Sequence, residues 1–341
     1  MSRNPTLADL ARAAGVSLAT IDRALHSRGN VSARSLLRIQ EAAAEIGFQD
    51  FRIQPAPKSL RSVRLGFVLH KGGQEFYRNL TRTLEDACKS RNDFAITPEF
   101  RYAASQAPDD FCAELAALGE TCAALATSAV THAKVARFGA QLIQQGLPLF
   151  ALLNDFGRDA HLGYFGLDNL RVGRIAGWMM AQRLQQGGRA AVFVGGNRWH
   201  GHALRETGFR SALREYAPSV TVLDTLVNLE TRQVTYEATL NLLDTHSDLR
   251  GIYVAGGGME GAIAALREVR PPEKVALIVN ELTLESRAAL QDRYALMAIA
   301  TPIANLAEAL LDKMLLAAQT RDHGQGRAFL FDPMIWVPES V

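Results

Sequence analysis

Apolar positions in residues 1–48 recur at helical spacing in three short stretches. The first stretch starts after Thr6, a residue type that caps helices, and stops at Gly15, which can adopt the positive φ that ends a helix. Ser17 and Ser32 are placed to cap the other two stretches. The positions predicted to face inward are Leu7, Leu10, Ala11, Ala14, Ile21, Ala24, Leu25, Leu36, Ile39, Ala43 and Ile46. The pattern predicts a small domain of three helices.

After residue 62 the pattern changes to short apolar runs that alternate with amphipathic helical stretches. The predicted strands are 63–69, 94–100, 122–127, 147–153, 163–167, 189–195, 221–227, 251–256, 274–280 and 294–300, with closing strands in 327–341. The runs are mostly apolar throughout, as in parallel sheets that helices cover on both faces. So many strands exceed what one such sheet usually holds. We therefore predict an α/β domain of two doubly wound lobes with a cleft between them.

Residues 49–62 separate the two patterns and are predicted to be a hinge or linker. They contain Pro55 and Pro57 and show no sustained periodicity. The helical domain is thus predicted at 1–48 and the large domain at 63–341. The predicted lobes of the large domain are 63–162 with 301–325, and 163–300 with 326–341.

Composition and charge favour a globular protein with one cationic end. The chain has 341 residues, of which 48% are hydrophobic and 21% charged. The formal net charge is +2, but residues 1–62 hold nine Lys/Arg against five Asp/Glu, whereas the remainder holds 28 against 30. An anionic partner is therefore expected at the amino-terminal end.

Cysteine content and the terminal sequence favour a cytoplasmic protein. Cys88, Cys112 and Cys122 are an odd number without C-x-x-C spacing, so neither a disulfide framework nor a zinc knuckle is predicted. The start, MSRNPTLADLARAAG, lacks the apolar core of a signal peptide. No apolar run approaches the about 18 residues of a membrane helix, and no membrane partner is expected.

The first two predicted helices have the spacing of a helix-turn-helix, in which the second helix enters the DNA major groove. The exposed face of that second helix is predicted to carry Leu18, Ala19, Asp22, Arg23 and His26. Leu18 and Ala19 can contact thymine methyl groups, and Arg23 can pair with guanine or phosphate. The alternative is a helical bundle for docking or dimerisation, since this spacing also occurs without DNA binding.

The sequence TLADLARAAGVSLATIDRAL…NVSARSLLRIQEAAAEIGF resembles the DNA-binding headpiece of the LacI/GalR family of bacterial transcription regulators over essentially all of residues 5–48. The A-G-V-S turn, the A-T-x-x-R-x-L helix and the N-V-S start of the third helix fall in register. Further on, VRLGFVL, GYFGLDNLRVGRIAG and RETGFRSAL resemble the family's effector domain, which is built like sugar-binding periplasmic proteins. The resemblance implies a homodimeric repressor that binds double-stranded operator DNA under the control of a small effector.

The resemblance also implies roles for the matched positions of the headpiece. Leu18 and Ala19 match positions that read bases, and Arg23 matches a DNA contact. Ser17 and Ser32 match phosphate contacts. The remaining members of the implied DNA-binding set are Thr6, Thr20, Asp22, His26 and Leu60.

Two positions depart from the family pattern. Asp22 stands where the family usually has a small hydroxyl residue, and phosphate would repel its carboxylate. We expect it to pair with an arginine such as Arg23, with a bond from cytosine N4 as the alternative. Leu60 matches the hinge leucine that wedges into the minor groove. Because Pro55 and Pro57 precede it, any hinge helix must be short and begin near Pro57.

Candidate effector contacts follow the predicted strands, because ligands of doubly wound domains bind at the carboxyl ends of strands. Phe76 and Tyr77 resemble the aromatic pair that stacks on a sugar ring, with a core role as the alternative. Arg205 matches the family's effector-binding arginine. Planar polar groups beside an aromatic face suit vicinal hydroxyls, so a sugar or polyol is expected. The full predicted set is Phe76, Tyr77, Asn154, Asp155, His202, Arg205, Gly257, Gly258, Asn280, Glu281 and Thr301.

The segment AGGGMEG raises a second hypothesis. Gly256, Gly258 and Gly261 fit G-x-G-x-x-G between a strand and a helix, and Glu281 follows twenty residues after Gly261. These features are typical of dinucleotide binding, so the alternative is a repressor that senses a nicotinamide dinucleotide. Against it, this unit comes late in the chain, whereas such a fingerprint usually opens its domain.

Metal and enzyme chemistry are not predicted. His200 and His202 could chelate a metal, but no third ligand is evident. The chain has no G-x-S-x-G, H-E-x-x-H or P-loop motif. We therefore expect no metal, no cofactor and no catalysed reaction.

Overall fold

The computed structural model describes residues 5–25, 31–48, 61–320 and 327–341, without the side chains of Ala33 and Arg34. Two of the predicted DNA contacts, His26 and Leu60, lie outside the described residues. The chain divides into an amino-terminal unit, Met1–Arg61 with Asn92–Phe94, and a large unit that holds the rest.

The amino-terminal unit contains the three predicted helices, α1 (Leu7–Ala14), α2 (Leu18–Leu25) and α3 (Ala33–Ile46). The Thr6 hydroxyl accepts a bond from the backbone N–H of Asp9, whose carboxylate accepts from Thr6 in return. Gly15 ends α1 with φ 60°, in the left-handed region that favours glycine. These local signals are strong enough to be read directly from the sequence.

A small apolar core holds the three helices together. Its buried members are Leu10, Ala11, Ala14, Ile21, Leu25, Ile39 and Ala42. The prediction that Leu7 faces inward was wrong, because its side chain is 39% exposed. Leu7 is the first residue of α1, one turn before Leu10, so it lies at the end of the buried stripe.

The remaining elements are thirteen strands and nine α-helices within the described residues, with a short 3-10 helix at Pro338–Ser340. The strands are β1 (Arg61–His70), β2 (Phe94–Ala103), β3 (Ala124–Thr127), β4 (Leu149–Leu152), β5 (Gly163–Leu167), β6 (Gly188–Val194), β7 (Val220–Val222), β8 (Leu226–Val227), β9 (Leu249–Val254), β10 (Ala276–Asn280), β11 (Met297–Ala300), β12 (Arg327–Phe331) and β13 (Met334–Trp336). The helices are α4 (Glu75–Ser90), α5 (Pro108–Gly119), α6 (Ala133–Gln144), α7 (Asn169–Arg183), α8 (His200–Tyr216), α9 (Arg232–Thr245), α10 (Met259–Val269), α11 (Leu284–Gln291) and α12 (Ile303–Gln319).

These strands form two sheets. The first has the order β12-β5-β4-β3-β1-β2, and the second has the order β13-β11-β10-β9-β6-β7, with β8 paired to β6. Neighbours such as β3 and β4, or β9 and β10, pair in parallel, whereas β13 pairs antiparallel with β11. The sheets confirm the predicted pair of doubly wound lobes.

Alternate residues of the second sheet face two different cores. Val192 and Ile278 pack with residues of α7 and α8 on one face. Phe193 and Leu277 pack with residues of α9 and α10 on the other face. Burial on both faces explains why these strands are continuous apolar runs in the sequence.

The pairing corrects the predicted boundaries between the lobes. We predicted that the chain leaves the first lobe before residue 163, but β5 pairs with β4 in the first sheet, through Ala151 with Tyr164 and Leu152 with Phe165. We also assigned residues 326–341 to the second lobe, but β12 pairs with β5 in the first sheet. The chain therefore crosses after β5, and only β13 of the closing segment joins the second sheet. In addition, β1 begins at Arg61, before the predicted end of the linker.

Helices α7 and α8 approach closely because α7 presents glycines where they meet. A Cβ atom added at Gly173 would lie 2.7 Å from the carbonyl carbon of Arg205, and one at Gly177 would lie 2.6 Å from the carbonyl oxygen of Phe209. Only glycine permits this approach of the two backbones. Among the described residues, no helix is long and apolar enough to cross a membrane.

Candidate functional site

The outer face of α2 carries most of the residues predicted to contact DNA. Leu18 is 55% exposed, and Ala19, Asp22 and Arg23 are also exposed. The opposite face packs into the core through Ile21 and Leu25. An exposed leucine beside an alanine leaves an apolar, thin surface that fits the width of a major groove.

Side chains on this surface are tied to the backbone of their own helix. Arg23 Nε donates to the carbonyl oxygen of Ala19 at 3.1 Å. The Ser17 hydroxyl accepts from the backbone N–H of Thr20 at 3.2 Å and caps α2 as predicted. Asp22 lies one residue before Arg23, and its pairing with an arginine stays a prediction.

Exposed hydroxyls stand at the starts of all three headpiece helices. Thr6 and Ser17 are described above, and the Ser32 hydroxyl accepts from the backbone N–H of Ser35 at 3.2 Å. Arg38 of α3 donates through Nη2 to the carbonyl oxygen of Gly15 at 3.2 Å, which fixes the turn between α1 and α2. Helix amino termini with exposed hydroxyls are suited to phosphate.

In the large unit, a cavity of about 820 Å³, counted with the solvent at its mouth, lies at the carboxyl ends of strands from both sheets. Ten of the eleven predicted effector contacts line it: Phe76, Tyr77, Asn154, His202, Arg205, Gly257, Gly258, Asn280, Glu281 and Thr301. Sequence positions as far apart as Phe76 and Thr301 meet here because each follows the end of a strand or begins a helix.

Asp155 is the exception, because it does not line the cavity. Its Oδ1 atom accepts from the backbone N–H of Gly157 at 2.9 Å and lies 3.1 Å from Nε2 of His161. The hydrogen bond with His161 is the main cause that lowers the pKa of Asp155. The carboxylate therefore holds its own loop, and its contact with a ligand stays a prediction.

Asn154 reaches across to the second lobe. Its Nδ2 atom donates to the carbonyl oxygen of Ala129 at 2.8 Å, within the first lobe. Its Oδ1 atom accepts from the backbone N–H of Gly201, in the first turn of α8, at 3.2 Å. A Cβ atom at Gly201 would lie 3.0 Å from Nδ2 of Asn169, so a larger residue there would make the Asn169 side chain shift.

Arg205 projects from α8 into a fixed position. Its Nε atom donates to Oδ1 of Asn169 at 2.7 Å, and its Nη1 atom donates to the carbonyl oxygen of Ala255 at 2.8 Å. Asn169 in turn donates to the hydroxyl of Tyr164 at 3.1 Å. The close packing of α8 on α7 at Gly173 fixes the position of Arg205 relative to Asn169.

Asn280 and Glu281 follow β10 and take different roles. The Glu281 carboxylate accepts from the hydroxyl and the backbone N–H of Thr301, at 2.6 and 2.9 Å. Burial raises the pKa of Glu281. Asn280 donates through Nδ2 to the carbonyl oxygen of Val254 at 2.8 Å, and its Oδ1 atom has no partner within the described residues.

Glu230 is the most buried carboxylate of the lining and was missed by the sequence analysis. Its carbonyl oxygen accepts from Lys71 Nζ at 3.1 Å and from Gln74 Nε2 at 2.9 Å, two donors of the first lobe. Its Oε1 atom accepts from the backbone N–H of Gly257 at 3.2 Å. Its backbone has φ 53°, a conformation that side chains rarely adopt and that recurs at ligand sites.

Two imidazoles flank the Glu230 carboxylate. His70 Nε2 lies 3.8 Å from Oε2, and His202 Nε2 lies 3.8 Å from Oε1. Burial lowers the pKa of His70 to about 4 and that of His202 to about 3, so both rings are neutral near pH 7. Burial raises the pKa of Glu230, against the opposing effect of Lys71.

Aromatic rings form one wall of the cavity. Phe76 and Tyr77 pack edge to face with their centroids 5.3 Å apart, and Trp199 lies 5.9 Å from His202. Tyr77 is buried, and this burial raises the pKa of its hydroxyl. Trp199 also lines the cavity but was not among the predicted contacts. Its indole Nε1 has no partner within the described residues.

The glycine-rich segment serves the packing of the protein itself. A Cβ atom at Gly256 would lie 2.8 Å from Nε2 of His202, and one at Gly261 would lie 2.6 Å from the backbone nitrogen of Tyr236. Gly258, with φ 90°, precedes α10. The N–H of Gly257 already binds a carboxylate, so a pyrophosphate at this loop would meet Glu230.

The missed residues follow the same rule as the predicted ones. Glu230 comes three residues after β8, and Asn169 opens the helix that follows β5. Searching the ends of every predicted strand, including 221–227, would have found Glu230. No group of three His, Cys, Asp or Glu residues in the described part of the chain is arranged to hold a metal.

Two family models match this architecture. Residues 6–50 match the bacterial regulatory proteins of the lacI family, and residues 65–322 match the periplasmic binding protein domain. The chain belongs to the LacI/GalR family. As a LacI-family protein with this headpiece, it is a DNA-binding regulator. No curated protein matches the sequence.

Solved structures share the fold of the LacI-family effector domain at low sequence identity. A solute-binding protein from Burkholderia graminis in complex with D-arabinose is 16% identical, with a TM-score of 0.76 over 83% of this chain and 97% of the other. One from Agrobacterium vitis bound to α-D-tagatopyranose is 16% identical, with a TM-score of 0.74 over 81% and 95%. One from Actinobacillus succinogenes with bound D-allose is 15% identical, with a TM-score of 0.72 over 82% and 98%.

Proposed function

We propose that this LacI-family protein is a transcriptional repressor whose affinity for operator DNA is controlled by a small polar effector, a sugar or polyol, bound in the interlobe cavity. The observation that carries the proposal is a set of buried polar atoms of lining residues that have no partner in the described residues: Nε1 of Trp199, Oε2 of Glu230 and Oδ1 of Asn280. A buried polar atom without a partner costs free energy, which a polyhydroxylated ligand can recover by hydrogen bonding.

The sugars named for the three similar structures support this class of effector. The lining also combines what sugar rings require. Arg205, Asn154 and Asn280 provide planar polar groups, and Phe76 and Trp199 provide aromatic surfaces.

We propose that the headpiece binds DNA through the exposed face of α2 and the three helix starts. Leu18 and Ala19 contact base edges, and Arg23 contacts a base or phosphate. Because one short helix reads only a few base pairs, two copies of the chain are needed to specify an operator. We therefore propose a homodimer on a roughly palindromic site.

The coupling between effector and DNA is proposed to act through the lobes of the large domain. Several hydrogen bonds already join the lobes. Lys71 and Gln74 donate to the backbone of the Leu229–Glu230 turn, Glu75 accepts from Leu284 at 2.9 Å, and Asn154 accepts from Gly201. An effector that favours this arrangement changes the free energy of DNA binding by a certain amount, typically about 1–3 kcal/mol. DNA changes the free energy of effector binding by the same amount.

Thermal-shift screening of the full chain against sugars, polyols and NADH tests the effector class. Stabilisation by a sugar or polyol, absent in Arg205→Ala, supports the proposal. Stabilisation by NADH alone supports the dinucleotide alternative and contradicts it. An operator is then selected from random duplex DNA. Titration of the protein–operator complex with the stabilising ligand tests whether the effector controls operator affinity.

A further inference from the structure

We propose that the effector carries a protonated amine beside its hydroxyls, as in an amino sugar or amino polyol, and that the Glu230 carboxylate binds the ammonium group. This inference rests on the proposed effector function and names the ligand class of the same cavity.

One oxygen of the Glu230 carboxylate has no hydrogen-bond partner within the described residues. The residue is 7% exposed and lines the cavity. Its Oε1 atom accepts the N–H of Gly257, but its Oε2 atom has no hydrogen-bond partner within the described residues. A buried carboxylate oxygen without a partner requires a hydrogen-bond donor. No described residue supplies a donor to Oε2 at hydrogen-bond distance.

The cations nearest to Glu230 are held by other groups. Lys71 directs its ammonium group to the carbonyl oxygens of Leu229 and Glu230, at 2.5 and 3.1 Å. Arg205 uses Nε and Nη1 for Asn169 and Ala255. Neither forms an ion pair with the Glu230 carboxylate within 4 Å.

The imidazoles beside Glu230 are neutral near pH 7. His202 accepts the backbone N–H of Gly195 through Nδ1 at 3.2 Å, so its single ring proton lies on Nε2 and faces Glu230. At 3.8 Å this N–H is too distant for a good hydrogen bond. His70 stands at the same distance from the other oxygen and packs 5.3 Å from the Trp199 ring.

The whole lining is acidic. It contains four carboxylates, Glu75, Glu230, Glu260 and Glu281, and one guanidinium, that of Arg205. Glu75 and Glu281 accept bonds from neutral donors, and neither is paired with a cation in the described residues. A ligand that brings positive charge is therefore favoured by the whole lining as well as by Glu230.

Charge distinguishes an amine from a hydroxyl at Glu230. A sugar hydroxyl would satisfy Oε2 but would bring no positive charge to a buried carboxylate that no cation of the described residues contacts directly. An ammonium group supplies both the donor and the charge, and charge-assisted bonds are about twice as strong as neutral ones. The free Oδ1 acceptor of Asn280 is consistent with a ligand rich in donors.

Matched ligand pairs test the inference on the full chain by calorimetric titration. D-Glucosamine is compared with D-glucose and with N-acetyl-D-glucosamine, and the galactose series is tested in the same way. We expect at least one amine to bind at least about tenfold tighter than both its hydroxyl and its acetylated partner, a ratio worth about 1.4 kcal/mol.

Glu230→Gln removes the charge and keeps an oxygen that can accept from Gly257. We expect this variant to lose the preference for the amine and to bind the neutral sugar at least as well as the wild type. Glu237→Gln is the matched control, because Glu237 lies on α9 of the same lobe, outside the lining, where it accepts from Gln233. The control should keep the preference.

Each outcome separates this inference from the function on which it rests. Neutral sugars that bind as tightly as their amines overturn the inference and leave the sugar-binding proposal intact. An amine preference that persists in Glu230→Gln also overturns the assignment to Glu230. If no member of either series binds but the thermal-shift screen finds another sugar or polyol, the inference is overturned and the sugar-binding proposal stands. If neither experiment finds a ligand, the proposed effector class itself is contradicted. The comparison with acetylated sugars needs no variant, so misfolding of Glu230→Gln cannot prevent a decision.

Discussion

The Nε2 atom of His202 lies 3.8 Å from Oε1 of Glu230 and carries the single proton of the ring. Burial is the main reason that the pKa of His202 falls to about 3, and Arg205 adds to it. The ring therefore cannot supply positive charge to Glu230 at neutral pH. This relationship between a neutral imidazole and a buried carboxylate is central to the chemistry of the cavity.

Gly256→Ala should displace the His202 ring. The added methyl group would lie 2.8 Å from Nε2 and 2.9 Å from Nδ1, and the ring must move because Gly256 lies in the buried backbone after β9. We expect effector affinity to fall at least about tenfold, since a ring shift of this size costs of order 1–3 kcal/mol. Calorimetric titration measures the loss. Gly73→Ala is the control, because no atom lies within 4 Å of its Cβ position. Equal affinity of the two variants would refute the predicted role of the ring.

Glu230→Gln should change how stability depends on pH. Burial raises the pKa of Glu230 above 4.5, so the folded state holds this proton more tightly than the unfolded state. The corresponding stability is present at low pH and is lost as pH rises through the folded pKa. The variant lacks this loss and should be more stable than the wild type near pH 7, with a difference that shrinks on acidification.

Calorimetric melting at a series of pH values measures this difference. The lowered pKa values of His70 and His202 destabilise the folded protein below about pH 6.5, but they act in both proteins and largely cancel in the comparison. Glu237→Gln should follow the wild type. Parallel curves for Glu230→Gln and the wild type would show that Glu230 titrates normally.

Gly173→Ala should weaken the packing of α7 on α8. The methyl group would meet the backbone of Arg205, which cannot rotate away as a side chain can. We expect a loss of about 1–3 kcal/mol in the free energy of unfolding, measured by urea denaturation against Gly73→Ala. Because Arg205 moves with α8, effector affinity should fall as well. A stability equal to that of the control would mean that the helices separate without cost.

Leu18→Ser should impair recognition of DNA without unfolding the headpiece. Leu18 is 55% exposed, so little burial is lost. Loss of its base contact should reduce affinity for a selected operator by about 1–3 kcal/mol and leave non-specific binding unchanged at the same salt concentration. Leu37→Ser, at a position 50% exposed on α3, is the control. Anisotropy titrations that show equal losses for both variants would remove Leu18 from the reading surface.

Local signals in the sequence predicted the elements well. Thr6, Gly15 and Ser32 fix helix ends through contacts within a few residues, and burial on both sheet faces makes the strands apolar. The point where the chain changes lobes could not be derived in this way. β5 has the same apolar character whichever sheet it joins, and only its pairing with β4 decides.

In the candidate site, too, some features could be predicted from the sequence and others depend on tertiary contacts. The rule that ligands bind at strand ends found ten of the 22 lining residues, since it depends on topology. It could not tell Asn154 from Asp155, because which of two adjacent side chains enters the cavity depends on the loop, where Asp155 is held by Gly157 and His161. Glu230 lies three residues after Val227, where both the predicted strand 221–227 and β8 end, so the same rule covers it although no contact was predicted there.

Control of DNA binding by the cavity is tested most directly by measuring the affinity of the full chain for its selected operator, with and without the ligand that stabilises the large domain. We predict that the ligand changes the dissociation constant by about 5–150-fold, and that Arg205→Ala removes this effect while keeping the affinity of the ligand-free protein. An operator affinity that is the same at zero and at saturating ligand would contradict the proposed regulation.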